Sequence, residues 1–450
     1  MAKKKKTLTL EEKLQEALVS EKVQPYPVPR NWCWTRLGNI SEIIMGQSPL
    51  GSSTTDDDRF TPLIGGAADM GDLYPSVTRY TKKPTKLSTS DDLIVCIRAT
   101  LGKPVYSDGE YCLGRGVAGI RSKLVDKAYL RYYFLDNENY LFNNATGSTF
   151  LQVTGKTLNA MPFSLPPLPE QQRIVDRIES LFAKLDEAEE KAQAVIDGYE
   201  ERKAAILHKA FTGELTKKWR EENKITLDSW NTVFLKDVCQ INPKKIDTKD
   251  LSDELKVSFF PMASLSEEYG EITDPQIREL GEVKKGFTNF MEGDVVFAKI
   301  TPCMENGKSA VIGELVNGIG YGTTEFFVLR CGMKLSNRYL YHLLRDKNFR
   351  GRAKSVMSGA VGQQRVPKKF LENYQLYLPT LKEQKVIVTM LDECFHKEHQ
   401  IKLIAESTLN QIDTMKKSIL AKAFRGELGT NDPEELSSKA LLKGILAEEV

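Results

Sequence analysis

The sequence predicts an α+β protein in which two similar mixed α/β modules are separated by two long antiparallel helices that form an intramolecular coiled coil. The first observation behind this prediction is a repeat: residues 165–215 reappear at 378–428 with a constant offset of 213 residues and no gap. The second is a heptad pattern in both copies. The third is that short apolar runs, typical of strands, recur outside the repeats.

The N-terminal segment predicts a short helix and then a linker. Thr9-Leu10-Glu11-Glu12 has the spacing of a capping box, which indicates a helix up to about Ser20. Three closely spaced prolines then favour an extended chain. We expect the first module to begin near Trp32.

The two modules also repeat, but with insertions and deletions. Trp32 corresponds to Trp230 and Asp92 to Asp294, at offsets that differ from each other. A drifting offset indicates a shared fold with different loops. The predicted strands are 92–97, 116–122 and 161–165 in the first module, and 293–300, 325–331 and 374–378 in the second. The predicted helices are 127–142 and 336–349.

The duplicated block predicts a helix pair of matched length. About 40 residues at 1.5 Å each give a helix of ~60 Å, which begins near Pro169 or its counterpart and ends near a glycine. Arg202 in the first copy and Glu398 and Thr408 in the second are polar positions in the seam, and Gly198 interrupts the first helix. An alternative is that each helix packs on its own module or on another protein. The predicted seam residues are Ile174, Ile178, Leu181, Leu185, Val195, Ile387, Leu391, Ile401, Ile412 and Ile419.

Composition points to a cytoplasmic protein without a resident metal. At 450 residues the chain suits two to four domains, and no apolar run is long enough for a membrane helix. The seven cysteines have no CxxC spacing, so we expect reduced thiols rather than disulfides or zinc. A net charge of +2 means that any nucleic-acid surface must be local.

No catalytic motif is present. The sequence lacks a Walker loop, an HExxH or GxSxG motif, and the Asn/Asp-Pro-Pro-Tyr signature of amino-methyltransferases. We therefore expect no catalytic residues in this chain.

Acid-free stretches at equivalent places in the modules are the strongest candidates for DNA contacts. Residues 351–370 carry five basic side chains and are predicted to be a loop because of their glycines. Arginine and glutamine can contact base edges, while lysine and serine suit phosphates. Different side chains on equivalent loops fit two modules that read different sequences, although a solvated loop is an alternative. The candidates are Asn143, Asn144, Thr146, Ser148, Thr149, Gln152 and Lys156 in the first module, and Arg352, Lys354, Ser355, Ser358, Gln363, Gln364 and Arg365 in the second.

Other basic or polar residues are weaker candidates, since isolated charges often only keep a surface solvated. They are Gln47 and Ser48 in a predicted turn, Arg79, Lys82, Lys83, Arg98, Lys103, Arg115 and Arg121 in the first module, and Lys244, Lys245, Lys299 and Lys308 in the second.

The chain resembles the specificity subunits of type I restriction–modification systems. The resemblance is carried by Leu-Pro-Pro-Leu-Pro-Glu-Gln-Gln at 165–172, by the helix that follows, and by Lys-Ala-Phe-Thr-Gly-Glu-Leu at 209–215. It covers nearly the whole chain. The second block departs at Thr380 and Lys382, where the first has prolines, so the entry into its helix is expected to differ.

This resemblance implies a DNA-reading scaffold without catalytic activity. Each module would be a target recognition domain for one half of a bipartite site in double-stranded DNA, and the helices would set the gap. The chain would bind no cofactor. Two modification subunits would methylate adenine with S-adenosylmethionine, and restriction subunits would use ATP and Mg. The implied domains are a helix and linker (1–30), recognition domains (31–163 and 227–377), helical spacers (164–226 and 378–428) and a C-terminal tail (429–450).

Two other functions remain open at this point. One is a fused recognition enzyme, a nuclease or a methyltransferase, which would require a catalytic motif. The other is a protein-binding coiled-coil scaffold that has no role on DNA.

Overall fold

The computed structural model describes residues 9–147, 150–267, 270, 272–360 and 362–447. The chain divides into two compact units. The first combines the residues up to Ala192 with those from Ser407 onward, and the second is Gln193–Glu406. The first unit is thus assembled from stretches that are far apart in sequence, whereas the second is continuous.

The helices and strands are numbered along the chain. The helices are α1 (Leu10–Ala17), α2 (Leu37–Ile40), α3 (Lys127–Asp136), α4 (Glu138–Asn143), α5 (Gly155–Ala160), α6 (Leu168–Asp197), α7 (Tyr199–Phe211), α8 (Lys217–Glu222), α9 (Leu235–Val238), α10 (Leu280–Val283), α11 (Asn337–Arg345), α12 (Lys347–Ser355), α13 (Lys368–Glu372), α14 (Leu381–Phe424) and α15 (Ser438–Ala447). The strands are β1 (Cys33–Arg36), β2 (Ser41–Met45), β3 (Thr54–Thr55), β4 (Thr61–Ile64), β5 (Tyr80–Thr81), β6 (Asp92–Arg98), β7 (Thr100–Tyr106), β8 (Cys112–Leu113), β9 (Val117–Ser122), β10 (Pro162–Leu165), β11 (Asn231–Phe234), β12 (Cys239–Ile241), β13 (Lys256–Phe260), β14 (Gln276–Glu279), β15 (Thr288–Phe290), β16 (Val295–Ala298), β17 (Ser309–Val311), β18 (Gly320–Gly322), β19 (Phe326–Cys331) and β20 (Gln375–Leu378).

Both modules are built around the same antiparallel sheet. Its strand order is β2–β9–β6–β7 in the first unit and β12–β19–β16–β17 in the second. A further sheet in each unit, β3–β5–β4–β8 or β14–β13–β18–β15, combines parallel and antiparallel pairs. The first and last strands of each module also pair, β1 with β10 and β11 with β20. This shared topology confirms the predicted duplication.

The predicted strands are all present, but the predicted module helices are each divided. Strand β6 is buried from Asp92 to Ile97, as expected for a continuous apolar run that is covered on both faces. The helix predicted at 127–142 breaks at Asn137, and the one at 336–349 breaks at Asp346. The Asp346 side chain accepts a hydrogen bond from the backbone N–H of Phe349, which caps the start of α12.

The two ends of the described chain pack together in the first unit. The capping box at Thr9 is confirmed, because its hydroxyl and the Glu12 carboxylate each accept a backbone N–H bond of the other residue. Helix α1 packs against α15, where the tail was predicted. Leu442 and Ile445 of α15 are fully buried in the same core as Leu14.

The long helices run antiparallel within each unit. In the first unit, Arg173 near the start of α6 binds Glu435, which follows α14, whereas Asp186 further along α6 binds Lys416. In the second unit, Arg202 of α7 binds Glu398 of α14, and the later residue Arg220 binds the earlier Glu383. In both units, residues later in the first helical segment bind residues earlier in the second. The two segments of each pair therefore run in opposite directions. Helix α14 is continuous, while Gly198 separates α6 from α7.

Of the ten predicted seam residues, five are buried, four are half-buried and one is exposed. Ile401 is 46% exposed, so its assignment was wrong. The neighbouring Lys402 is half-buried, and its ammonium group lies 5.0 Å from the centroid of the Tyr199 ring. The heptad pattern did not predict the half-buried position of Lys402, because it counts lysine as polar although the aliphatic stem of a lysine can pack against apolar groups. Of the other seam residues, Ile174, Ile178, Ile387, Leu391 and Ile412 are buried, and Leu181, Leu185, Val195 and Ile419 are half-buried.

We predict that Leu442→Ala destabilises the first unit by about 2–4 kcal/mol, because it leaves a cavity between α15 and α1. Urea unfolding followed by circular dichroism measures the loss. Leu436→Ala is the matched control, since Leu436 is 85% exposed. Equal stability of the two variants would show that α15 does not belong to the core.

Candidate nucleic-acid interface

A buried glutamate joins each long helix to the first strand segment of its module. Near the start of α6, the Glu170 carboxylate accepts a hydrogen bond from the Trp32 indole N–H at 2.7 Å. Near the start of α14, the Glu383 carboxylate accepts one from the Trp230 indole at 2.9 Å. Both carboxylates are fully buried. The sequence offered a signal for this contact, because Trp32 and Trp230 recur in the two modules just as Glu170 and Glu383 recur in the duplicated block.

The next residue of the motif, a glutamine, binds the module a second time. The Gln171 side-chain oxygen accepts the backbone N–H of Asp126, and that of Gln384 accepts the backbone N–H of Ser336, each at 2.8 Å. Asp126 and Ser336 are the N-caps of α3 and α11. The Glu-Gln pair therefore fixes the helix start against two elements of its module. We call each Glu–Trp and Gln–N-cap set a joint.

The two joints balance their buried charge differently. Glu383 binds the guanidinium of Arg220 at 2.7 Å and the Thr216 hydroxyl at 2.7 Å. Glu170 instead accepts a second hydrogen bond from the neutral Asn431 amide at 2.8 Å. Burial raises the pKa of Glu170 above its ordinary value, while bonds from Trp32 and Asn431 oppose that rise.

The two acid-free stretches that were predicted to contact DNA contain equivalent hairpins in the structure. In the first module, Gln152 forms bridges with Arg98 and with Thr146. In the second, Arg365 forms bridges with Ile300 and with Ser358. Arg98 and Ile300 lie at the same place, at or just beyond the end of the matching strands β6 and β16. Gln152 and Arg365 therefore occupy corresponding backbone positions.

The first hairpin presents polar and aromatic side chains. Thr146 and Gln152 of the hairpin are exposed; Asn143 and Lys156, which were predicted to lie on the same loop, are also exposed but lie on α4 and α5, and exposed Asn144 directly follows α4. The Arg98 guanidinium lies 6.0 Å from the centroid of the Phe150 ring, and that ring is also exposed. The structure thus brings Arg98 to the predicted loop. Ser148 and Thr149 lie outside the described residues.

The second hairpin begins later than predicted. Arg352, Lys354 and Ser355 lie on α12 rather than on a loop, because the apolar Phe349 and Ala353 pack into the core and extend the helix. Ser358, Gln363, Gln364 and Arg365 follow α12 in the hairpin itself.

An ion pair orients Arg365 at the base of this hairpin. Its guanidinium donates to both oxygens of the Glu325 carboxylate, at 2.8–3.2 Å. This bonding holds the pKa of Glu325 below its ordinary value. The Arg365 side chain is still 43% exposed. Lys299 lies beside this pair, since its backbone N–H donates to the Glu325 carbonyl.

Arg121 supports the sheet and is not a free surface cation. It donates through Nε and Nη2 to the buried Asp92 carboxylate at 2.9 and 3.1 Å. Arg330 and Asp294 form the same pair in the second module. The repetition of this pair indicates a structural role for Arg121, and its predicted contact with DNA stays a prediction.

Lys103 and Lys308 also hold equivalent turns. The Lys103 ammonium donates to the Met70 carbonyl at 2.7 Å, and that of Lys308 to the Met262 carbonyl at 3.3 Å. The Lys308 side chain is only 13% exposed. Lys308 is therefore held within the fold, whereas Lys103 is exposed although its ammonium group is bound to a carbonyl.

Some of the other basic candidates contact groups within the protein, and others are exposed. Arg79 pairs with Asp69, and Lys245 and Lys299 donate to the carbonyls of Phe287 and Thr324. The Lys82 ammonium lies 5.3 Å from the centroid of the Phe60 ring. Lys83 and Lys244 are exposed.

The predicted turn at Gln47 and Ser48 lies next to Arg115. The backbone N–H of Arg115 donates to the Ser48 hydroxyl at 3.3 Å, and that of Gln47 donates to the Leu113 carbonyl at 2.8 Å. All three residues are exposed. The structure therefore places these candidates together.

The family of the chain is shown by comparison with known proteins. The model of the type I restriction modification DNA specificity domain matches residues 29–197 and 228–412. The chain therefore belongs to this family and contains two copies of its specificity domain. Across the described residues, no helix has both the length and the apolar character needed to cross a bilayer.

Relatives and solved structures agree with this membership. The chain is 33% identical to the EcoEI specificity subunit of Escherichia coli over 267 residues, which are 50% of this chain and 44% of that subunit. It is 23% identical to the EcoKI specificity subunit of the same species, over 94% of this chain and 96% of that one. The HsdS subunit of Thermoanaerobacter tengcongensis superposes with a TM-score of 0.61 at 21% identity and covers 90% of this chain and 99% of that chain. The structural likeness supports the fold.

We predict that the two joints respond differently to the same substitution. Glu170→Gln should change stability by at most about 1 kcal/mol, because an amide oxygen can still accept from Trp32 and Asn431. Glu383→Gln should cost about 3–5 kcal/mol, because it leaves the buried Arg220 guanidinium without its counter-charge. Thermal unfolding of the two variants measures the difference.

A pH series provides the control for this comparison. Because the folded-state pKa of Glu170 is raised, ionisation of this group opposes folding as the pH rises through that pKa. Glu170→Gln removes that contribution, so its stability relative to the unmodified protein should improve from pH 4 to pH 7. An equal loss in both variants at every pH would contradict the difference between the joints.

Proposed function

We propose that this chain is the non-catalytic DNA-recognition subunit of a type I restriction–modification complex, in which each module reads one half of a bipartite site. The observation that carries the proposal is the pair of equivalent hairpins, which place different side chains at corresponding positions. Gln152 suits a bidentate contact to adenine and Arg365 suits one to guanine. The names of the relatives, which are specificity subunits, support the same role.

Exposed cations around the hairpins would position the modules on the DNA backbone. Lys156 of the first module and Arg352 and Lys354 of the second are exposed close to the reading residues in sequence. Such residues contribute affinity that depends on salt but carry little sequence information. The modest net charge of the chain fits contacts that are concentrated in these patches.

The antiparallel helices would set the gap between the half-sites. Helix α6 leads out of the first module and α14 out of the second. The joints bind the start of each long helix rigidly to its module. A change in helix length or alignment would therefore change the separation of the two DNA-recognition modules. The chemistry would lie on partner subunits: adenine methylation with S-adenosylmethionine, and DNA translocation and cleavage with ATP and Mg.

An apolar strip on α14 is a candidate docking surface for the methylating subunits. Ile401 and Ile404 are 46% and 65% exposed, and their spacing places them on one side of the helix. Exposed aliphatic residues one turn apart suit burial against a partner helix. Cytoplasmic location of the chain follows from this proposal, since its DNA target and partners are intracellular.

Methylation mapping tests the proposal directly. The chain is co-expressed with type I methylating subunits, and methylated adenines are located by sequencing. A bipartite motif with a constant gap is expected. Methylation by the purified chain alone would favour the fused-enzyme alternative, and failure to bind DNA even with partners present would favour the protein scaffold.

We predict that Gln152→Ala and Arg365→Ala relax specificity in different halves of the site. Each should reduce discrimination at one base pair by about 1–3 kcal/mol, measured by methylation of all single-base variants of the motif. Lys354→Ala is the control, because a phosphate contact should weaken all sites alike. Changes in the same half-site would contradict the assignment of one module to each half.

We predict that Ile404→Glu lowers binding of the methylating subunits by at least about tenfold, because it buries a charge at an apolar contact. Co-purification and calorimetric titration measure this loss. Met333→Glu is the matched control, since Met333 is 95% exposed and lies outside α14 in the sequence. Equal binding by both variants would remove this strip from the interface.

A further inference from the structure

The seam between α7 and α14 contains an ion pair where neighbouring positions are apolar. Arg202 Nε donates to Glu398 Oε2 at 2.8 Å. The Arg202 and Glu398 side chains are 36% and 15% exposed. Leu391 and Ala405, one heptad to either side of Glu398, are buried. Arg202, which interrupts the first heptad pattern, is therefore the partner of Glu398, one of the two polar positions in the second.

The break between α6 and α7 makes room for this pair. Arg202 Nη2 donates to the Val195 carbonyl at 2.9 Å, so the guanidinium folds back across the break. A Cβ atom on Gly198 would lie 2.6 Å from Arg202 Nη1, which is too close for an unshifted side chain. Glycine, arginine and glutamate thus form one local arrangement that spans the helix break and the facing helix.

This arrangement distinguishes one alignment of the helices from its neighbours. Aliphatic seam contacts are similar after a slide of one turn, because one leucine or isoleucine replaces another. A slide would move Glu398 away from Arg202 and leave two partly desolvated charges without partners. Single polar residues in an apolar seam fix alignment by this means, at some expense of stability.

We propose that the Arg202–Glu398 pair determines the gap length that the complex accepts, by fixing the alignment of α7 against α14. The inference rests on the proposed function. A slide of one helical turn is about 5.4 Å, and successive base pairs are about 3.4 Å apart. Loss of the pair therefore permits gaps that differ by one or two base pairs from the preferred one. Both side chains act as positioning residues, since neither contacts DNA in this proposal.

The test compares Arg202→Met/Glu398→Met with the unmodified chain in the methylating complex. The readout is methylation of a DNA panel in which the gap varies by single base pairs. We expect unchanged or higher thermal stability, together with an approximately tenfold fall in selectivity for the preferred gap. If the ion pair only stabilised the fold, its removal would lower thermal stability and gap selectivity together.

Further variants isolate the charge pair. Arg202→Lys retains the positive charge and should therefore retain the selectivity of the complex for the preferred gap length. Glu398→Gln keeps the side-chain shape and should lower selectivity in the same direction as the double variant, which provides a second measurement if the double variant does not fold. Glu187→Met/Lys191→Met removes an exposed ion pair on α6 and should leave selectivity unchanged.

The outcomes separate this inference from the function on which it rests. If the unmodified complex methylates a bipartite site and both Arg202→Met/Glu398→Met and Glu398→Gln keep its gap selectivity, the inference is overturned and the proposed function stands. If the unmodified complex methylates no bipartite site, the proposed function fails and the inference fails with it.

Discussion

The buried bond from a tryptophan indole to a glutamate carboxylate is the contact on which both modules depend. It occurs at the start of each long helix, and the following glutamine binds the N-cap of a module helix. An unpaired carboxylate in this position would be strongly unfavourable, so the contact forms only when the strand, the module helix and the long helix are correctly placed together. The joint therefore couples local folding of a module to the direction in which its helix leaves.

The two modules share their sheets and supporting ion pairs but differ in the side chains of the hairpins that are proposed to contact bases. The sheets share one strand order, and the Arg121–Asp92 pair has its counterpart in Arg330–Asp294. The hairpins use the same backbone bridges but carry glutamine in one module and arginine in the other. A rigid support with exchangeable side chains allows base specificity to change without a change in the core.

Much of the fold could be predicted from periodicity and from the internal repeat, whereas side-chain partners could not. Continuous apolar runs predicted β6 and its neighbours, and heptads predicted the helix pair. Ile401 was misassigned because a hydrophobic pattern cannot show that this isoleucine is exposed while the neighbouring Lys402 is half-buried beside Tyr199. Lys308 and Arg121 were named as surface cations because composition does not show the carbonyl or carboxylate that binds each one. Helix α15 had apolar residues at helical spacing, but a short segment near the end of a chain gives a weak pattern.

The discontinuous first unit has a consequence for biosynthesis. Residues of α14 and α15 contribute to its core, including Phe424 and Leu442, and they are synthesised after the whole of the second unit. The second unit is a single continuous stretch and can fold while synthesis proceeds. The usual order, in which the N-terminal domain folds first, is therefore reversed for the final steps: the first half of the chain completes its core only after the second half has emerged. Termination of translation between Glu406 and Leu442 would leave the first module with exposed apolar surface, whereas the second unit would have every residue that its own core requires.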